Sequence, residues 1–93
     1  MSTTTFQPLP DWFHALGGVV YPMYETIANR YTGEEVLLNP HEVAIYDMTV
    51  GSEILASKLD PQSIKAQVLY DIVRKGCSWF KEHNASAYMT LLD

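Results

Sequence analysis

The sequence predicts an all-α protein with three main helices, at about 19–32, 39–58 and 61–83, and short helical turns near both ends. Three observations predict this fold. Apolar residues recur at helical spacing in each segment, and the second and third segments begin with Asn-Pro or Asp-Pro. In addition, the short apolar run "EVLL" is too brief to support a sheet by itself. The composition, 47% hydrophobic and 18% charged, is that of a globular domain.

The N-terminal part divides into a leader and a first helical turn. We expect residues 1–9 to form a flexible leader and residues 10–93 to form a single helical domain. The stretch "PDWFHAL" predicts a short helical turn that starts at Pro10 or Asp11. Its aromatic side chains are expected to pack on the body of the domain.

The first main helix, 19–32, is predicted from one apolar stripe. The stripe follows the spacing i, i+4, i+7, i+11 and consists of Val20, Tyr24, Ile27 and Tyr31. Proline is tolerated only in the first turn of a helix, so Pro22 requires a start near residue 19 to 21. Gly33 supplies a stop signal.

Helix-start signals define the remaining elements. Asn39 and Pro40, with Glu42 three residues after the cap, predict a capping box at the start of the second helix. Asp60-Pro61 repeats the Asx-Pro signal and predicts a third helix that runs to about His83. Asn84 or Ser86 is expected to cap a last short helix.

The second helix is apolar on more than one side. Its wheel has two apolar stripes and a third strip of mostly small residues. The first stripe is Val43, Tyr46, Val50 and Ile54, the second is Ala44, Met48, Gly51, Leu55 and Leu59, and the small-residue strip is Ile45, Thr49, Ser52 and Ala56. A helix that is hydrophobic all round is buried all round, so we expect this one to be the central element. Gly51 costs about 1 kcal/mol of helix propensity relative to alanine, and the close approach of another helix would offset that cost.

Two arrangements bury such a helix. The other helices sandwich it within one chain, or one of its faces meets a symmetry mate. A three-helix bundle needs only one apolar face on each helix, so the surplus face favours a homodimer. The predicted interface residues come from the first stripe and the small-residue strip, with the glycine: Val43, Tyr46, Val50, Gly51, Ile54, Thr49, Ser52 and Ala56.

Charge and composition exclude several classes of function. The net charge of −5 argues against a nucleic-acid binder that relies on neutralising phosphates. No apolar run approaches the roughly 20 residues of a membrane span, so no membrane association is expected. The single cysteine, Cys77, cannot form an internal disulfide, which fits a reducing cytoplasm.

The sequence contains no recognisable catalytic or metal-binding motif. Its histidines and its cysteine are scattered without the spacing of a metal site, so no metal and no other cofactor are expected. We therefore favour a non-enzymatic protein over an enzyme. The alternative is a small ligand-binding protein or enzyme with a site at a subunit interface. Its candidate ligand-binding residues are His41, Tyr46 and Asp47.

Four segments carry a resemblance to known sequences. "RYTGEE", "HEVAIYD", "KGCSWF" and the closing "NASAYMTLLD" are similar to small uncharacterised proteins of T4-like cyanophages. The resemblance implies a phage accessory protein made in the bacterial host cytoplasm, and it implies no activity. The sequence thus predicts a small helical interaction protein, a homodimer that also binds an unknown protein partner. A minor structural component of the virion is a further alternative.

Overall fold

The computed structural model describes residues 5–93. In chain order its elements are helix α1 (Asp11–Ala15), strands β1 (Glu25–Ala28) and β2 (Glu35–Leu38), and helices α2 (Pro40–Ser57), α3 (Ile64–His83) and α4 (Ala85–Leu91). Of the described residues, 56% are helical, but 9% form a two-stranded antiparallel sheet. The all-α prediction is therefore only roughly right. No helix among the described residues combines the length and apolar character that crossing a membrane requires.

The predicted first main helix, 19–32, is wrong, because this region forms a β-hairpin. β1 and β2 pair antiparallel, with Ile27 opposite Val36 and Glu25 opposite Leu38. Pro22 disfavours helical backbone at the residue before it. The run "EVLL", which is too short to predict a sheet by itself, forms β2. Gly33 closes the hairpin loop with a positive φ of 78°, a conformation that glycine adopts without strain.

The start of α2 is formed as the sequence predicts. Asn39 is the N-cap, Pro40 is the first helical residue, and a capping box joins Asn39 to Glu42. The Asn39 side chain accepts from the Glu42 amide at 2.9 Å, and the Glu42 carboxylate accepts from the Asn39 amide at 2.9 Å. The helix ends at Ser57, one residue before the predicted end.

The start of α3 lies three residues later than predicted. Asp60 and Pro61 do not begin the helix but form a turn, in which the Asp60 carboxylate accepts from the Gln62 amide. Ser63 is the N-cap and accepts from the Ala66 amide. The predicted end at His83 is confirmed, and Asn84 caps α4 as expected by accepting from the Ala87 amide.

Helices α2 and α3 pack closely, and a glycine of α3 makes this approach possible. A Cβ added at Gly76 would overlap the hydroxyl of Thr49, and it would lie 2.9 Å from the Thr49 Cβ. The hydrophobic core contains large side chains that are almost fully buried: Phe13, Leu38, Ile45 and Phe80. The two long helices therefore form the centre of the molecule.

The N-terminal segment is held against this centre. Gln7 donates to the Glu42 carboxylate at 2.9 Å, and the Trp79 indole donates to the Pro8 carbonyl at 3.0 Å. These contacts place Gln7 and Pro8 against the body of the domain, whereas the sequence predicts a flexible leader over residues 1–9. The rest of the predicted leader, residues 1–4, lies outside the described residues.

Candidate functional site

Within residues 5–93, one side of α2 is left uncovered over the C-terminal half of the helix. We call Asp47, Gly51, Ile54, Leu55 and Lys58 the outer face of α2. At about 100° per residue, these positions lie within roughly 60° of the point opposite Thr49, which contacts α3. The Ile54 side chain is 42% exposed and that of Leu55 is 56% exposed. No atom of the described part of the chain lies within 4 Å of a Cβ built at Gly51, so a partner's side chain would have space there.

A groove adjoins the outer face at its N-terminal end. It lies between the segment 17–23 and the first half of α2, with a volume of about 480 Å³. Most of its lining is apolar, and the large apolar side chains are Phe13, Val19, Tyr21, Met23, Val43 and Met48. Asp47 belongs to both surfaces, so the groove and the outer face form one continuous area. We call this cavity the N-terminal groove.

The electrostatics of this area are set by two carboxylates. Burial raises the pKa of the Asp47 carboxyl, and the negative charge of Glu25, which also lines the groove, raises it further. Among residues 5–93, no lysine, arginine or histidine lines the groove. Within residues 5–93, neither Asp47 nor the exposed Lys58 has an ion-pair partner. A cation brought to Asp47 would therefore meet an uncompensated negative charge.

The small-residue strip of α2 is not available to a second copy. Thr49, Ser52 and Ala56 are buried within the chain, and the Thr49 hydroxyl donates to the Ile45 carbonyl at 2.7 Å. The strip lies on the side of α2 that packs on α3, where Gly76 contacts Thr49. The glycine that allows helices to approach within this chain is thus Gly76, and the assignment of the strip to a dimer interface is corrected.

The first stripe of α2 is divided among three environments. Val43 lines the N-terminal groove, whereas Tyr46 and Val50 line a small cleft beside the hairpin loop and α4. Ile54 alone of this stripe is exposed. Of the eight residues predicted for an interface, the structure therefore leaves Gly51 and Ile54 together on an open surface.

The three candidate ligand-binding residues do not converge. His41 Nδ1 lies 2.6 Å from the Gln7 carbonyl, and the His41 ring packs against Phe6. Tyr46 is buried on another side of α2, where burial raises the pKa of its hydroxyl. Asp47 faces the groove. The side chains of neighbouring residues in a helix point about 100° apart, so this set cannot surround one ligand.

The described residues also offer no cluster suited to metal binding. No group of three or more histidine, cysteine, aspartate or glutamate side chains is placed to hold an ion within residues 5–93. Burial raises the pKa of the Cys77 thiol, which disfavours the reactive thiolate. Comparison with protein-family models, with curated proteins and with solved structures finds no match to this chain.

The sequence predicted only one of the hydrogen bonds made by the buried Glu42 carboxylate. The Glu42 carboxylate is buried and accepts from the Asn39 amide at 2.9 Å, the Gln7 side chain at 2.9 Å and the Asn84 side chain at 2.6 Å. It thereby joins the N-terminal segment, the start of α2 and the start of α4. The capping-box spacing indicated only the first of these bonds, because the other two donors are distant in sequence.

Proposed function

We propose that this protein is a non-enzymatic interaction protein that forms a homodimer through the outer face of α2. The observation that carries the proposal is the open space over Gly51, beside the exposed side chains of Ile54 and Leu55. Contiguous exposed apolar residues mark interaction sites more often than isolated ones do. Two-fold dimers are the commonest assemblies of soluble proteins.

The position of Gly51 supports this proposal energetically. A glycine inside a helix costs about 1 kcal/mol relative to alanine, and no neighbour within the described chain makes use of the missing side chain. A second molecule that packs over Gly51 would approach the helix backbone closely and bury Ile54 and Leu55. The cost would then be offset by contacts that exist only in the dimer.

Sedimentation equilibrium tests the homodimer directly. At micromolar concentrations we expect a mass twice the 10.5 kDa of the single chain. Ile54→Glu would place a charge in the apolar interface and should shift the protein to the monomer. Met89→Glu is the matched control, because Met89 is also exposed, at 64%, but lies on α4 away from the outer face. A wild-type monomer up to about 100 μM, well above the micromolar affinities of specific complexes, would refute the proposal.

A further inference from the structure

The N-terminal groove lies between two walls that come from different parts of the chain. One wall is the side of α2 that carries Val43 and Met48, and the facing wall is the segment 17–25. The buried ring of Phe13 also lines the groove, and a Cβ added at Gly18 would overlap this ring. The segment is therefore packed on the core, and the groove is formed before anything binds, as small-molecule sites usually are.

The segment wall presents apolar side chains that nothing within residues 5–93 covers. Val19, Tyr21 and Met23 line the groove, yet their exposed fractions lie between 61% and 72%. The volume of about 480 Å³ falls within the roughly 300–1,000 Å³ of small-molecule sites. A ligand with an apolar ring or chain would cover these side chains and be stabilised by the removal of apolar surface from water.

Each wall also carries one carboxylate. Glu25 lines the groove from the segment and Asp47 lines it from α2, and the charge of Glu25 is near enough to raise the pKa of Asp47. In the part of the chain that the structure describes, neither carboxylate forms an ion pair. Both negative charges are therefore available to a cation placed between the walls.

This combination of charge and apolar surface selects one class of ligand. A neutral apolar ligand would remove water from the carboxylates without replacing its hydrogen bonds, and an anion would be repelled. An ammonium group carries a positive charge and three donors, so it can bond to both carboxylates while an apolar substituent fills the groove.

We propose that the N-terminal groove binds a small organic amine. The apolar ring or chain of the ligand lies between α2 and the segment 17–23, and its ammonium group lies between Glu25 and Asp47. All the groups that form this site belong to a single chain, so the inference goes beyond the proposed homodimer and does not depend on it.

Three probes that share an indole ring test the class of ligand. Tryptamine carries an ammonium group, tryptophol a hydroxyl group and indole-3-propionate a carboxylate. In titrations followed by the amide NMR signals of the segment 17–25, tryptamine should bind with a dissociation constant on the order of 1 mM, as expected for a molecule of its size. It should bind about 5-fold or more tightly than tryptophol, because two partly screened charge pairs are gained. Indole-3-propionate should bind weakest.

Neutralising the carboxylates tests their role. In the double variant Glu25→Gln with Asp47→Asn, the affinity for tryptamine should fall to that for tryptophol, while the affinity for tryptophol should not fall. Both side chains are exposed, so the fold should be retained. The control is the double variant Glu34→Gln with Glu82→Gln, which neutralises two exposed carboxylates outside the groove and should leave the preference for tryptamine unchanged.

A lysine introduced into the groove tests the location of the site. Met23→Lys places a tethered ammonium group beside the carboxylates, where it competes with the ligand, so tryptamine should lose about 5-fold or more in affinity. Met89→Lys is the matched control, because Met89 has a similar exposed fraction, 64% against 68%, but lies on α4. It should bind tryptamine as the wild type does.

The inference is overturned if tryptamine and tryptophol bind equally, or if the neutralised double variant keeps the preference for tryptamine. Tighter binding of a capped lysine tripeptide than of tryptamine would assign the groove to a protein side chain instead. Ile54→Glu should bind tryptamine as the wild type does, and loss of binding in this variant would show that the site needs a second copy. A wild type that sediments as a monomer would refute the homodimer alone and leave the amine site standing.

Discussion

The two glycines of the long helices have opposite surroundings. Gly76 of α3 lies against Thr49, and a Cβ at that position would overlap the threonine side chain. Gly51 of α2 faces open space. The amino acid is the same and both sit in helix interiors, so their different roles come only from what packs beside them. Substitution of each by alanine separates steric cost from helix propensity.

We predict that Gly76→Ala destabilises the fold by about 1–3 kcal/mol, since the added methyl group forces α2 and α3 apart. Gly51→Ala should instead stabilise the single chain by up to about 1 kcal/mol through helix propensity. Urea unfolding of both variants in the Ile54→Glu background measures these changes without a contribution from association. Equal effects of the two substitutions would contradict the packing described for Gly76.

A helix or strand could be predicted from the sequence when the residues that determine it lie close together in the chain. The capping box could be predicted because Asn39 and Glu42 are three residues apart and contain all the groups involved. The β-hairpin could not be predicted from the apolar stripe at 19–32, which mimics a helix period. Contacts distant in sequence help to hold the hairpin: the Asn29 side chain donates to the Thr90 carbonyl at 2.7 Å, and Leu38 is fully buried in the core.

Glu42 connects three elements, so its carboxylate should matter more than that of an ordinary helix cap. We predict that Glu42→Gln destabilises the fold by about 1–3 kcal/mol. The amide replaces one acceptor oxygen by a donor, which would face the donors of Asn39, Gln7 or Asn84. Thermal or urea unfolding measures the loss, and Glu82→Gln is the control because Glu82 is exposed on α3.

Limited proteolysis extends this test to the N-terminal segment. Gln7 bonds to both Glu42 and Asn39, so the segment should be cut faster in Glu42→Gln than in the wild type under native conditions. Unchanged stability together with unchanged cleavage would mean that the buried carboxylate does not hold the three elements together.

The whole molecule is elongated, with a longest dimension of 51 Å and a shortest of 21 Å. The N-terminal segment, the hairpin and α4 all pack near the first half of α2, and this leaves exposed apolar residues where α2 ends and α3 begins. The sequence predicted that α2 is central and that Gly51 and Ile54 lie at an interface. It could not identify the groove, because the groove is built from segments that meet only in the folded chain.

Hydrogen exchange at two protein concentrations would locate the association surface across the chain. We predict that raising the concentration from well below to well above the dissociation constant slows amide exchange in the segment 17–24 and the turn 58–63. Both segments lie outside the helices and strands, so their amides respond to burial by a second copy more readily than helical amides do.

The hairpin loop 29–34 and helix α4 should exchange at the same rate at both concentrations. In Ile54→Glu the concentration dependence should disappear throughout. Protection that instead appears at the hairpin loop or at α4 would place the dimer interface on the opposite side of the molecule.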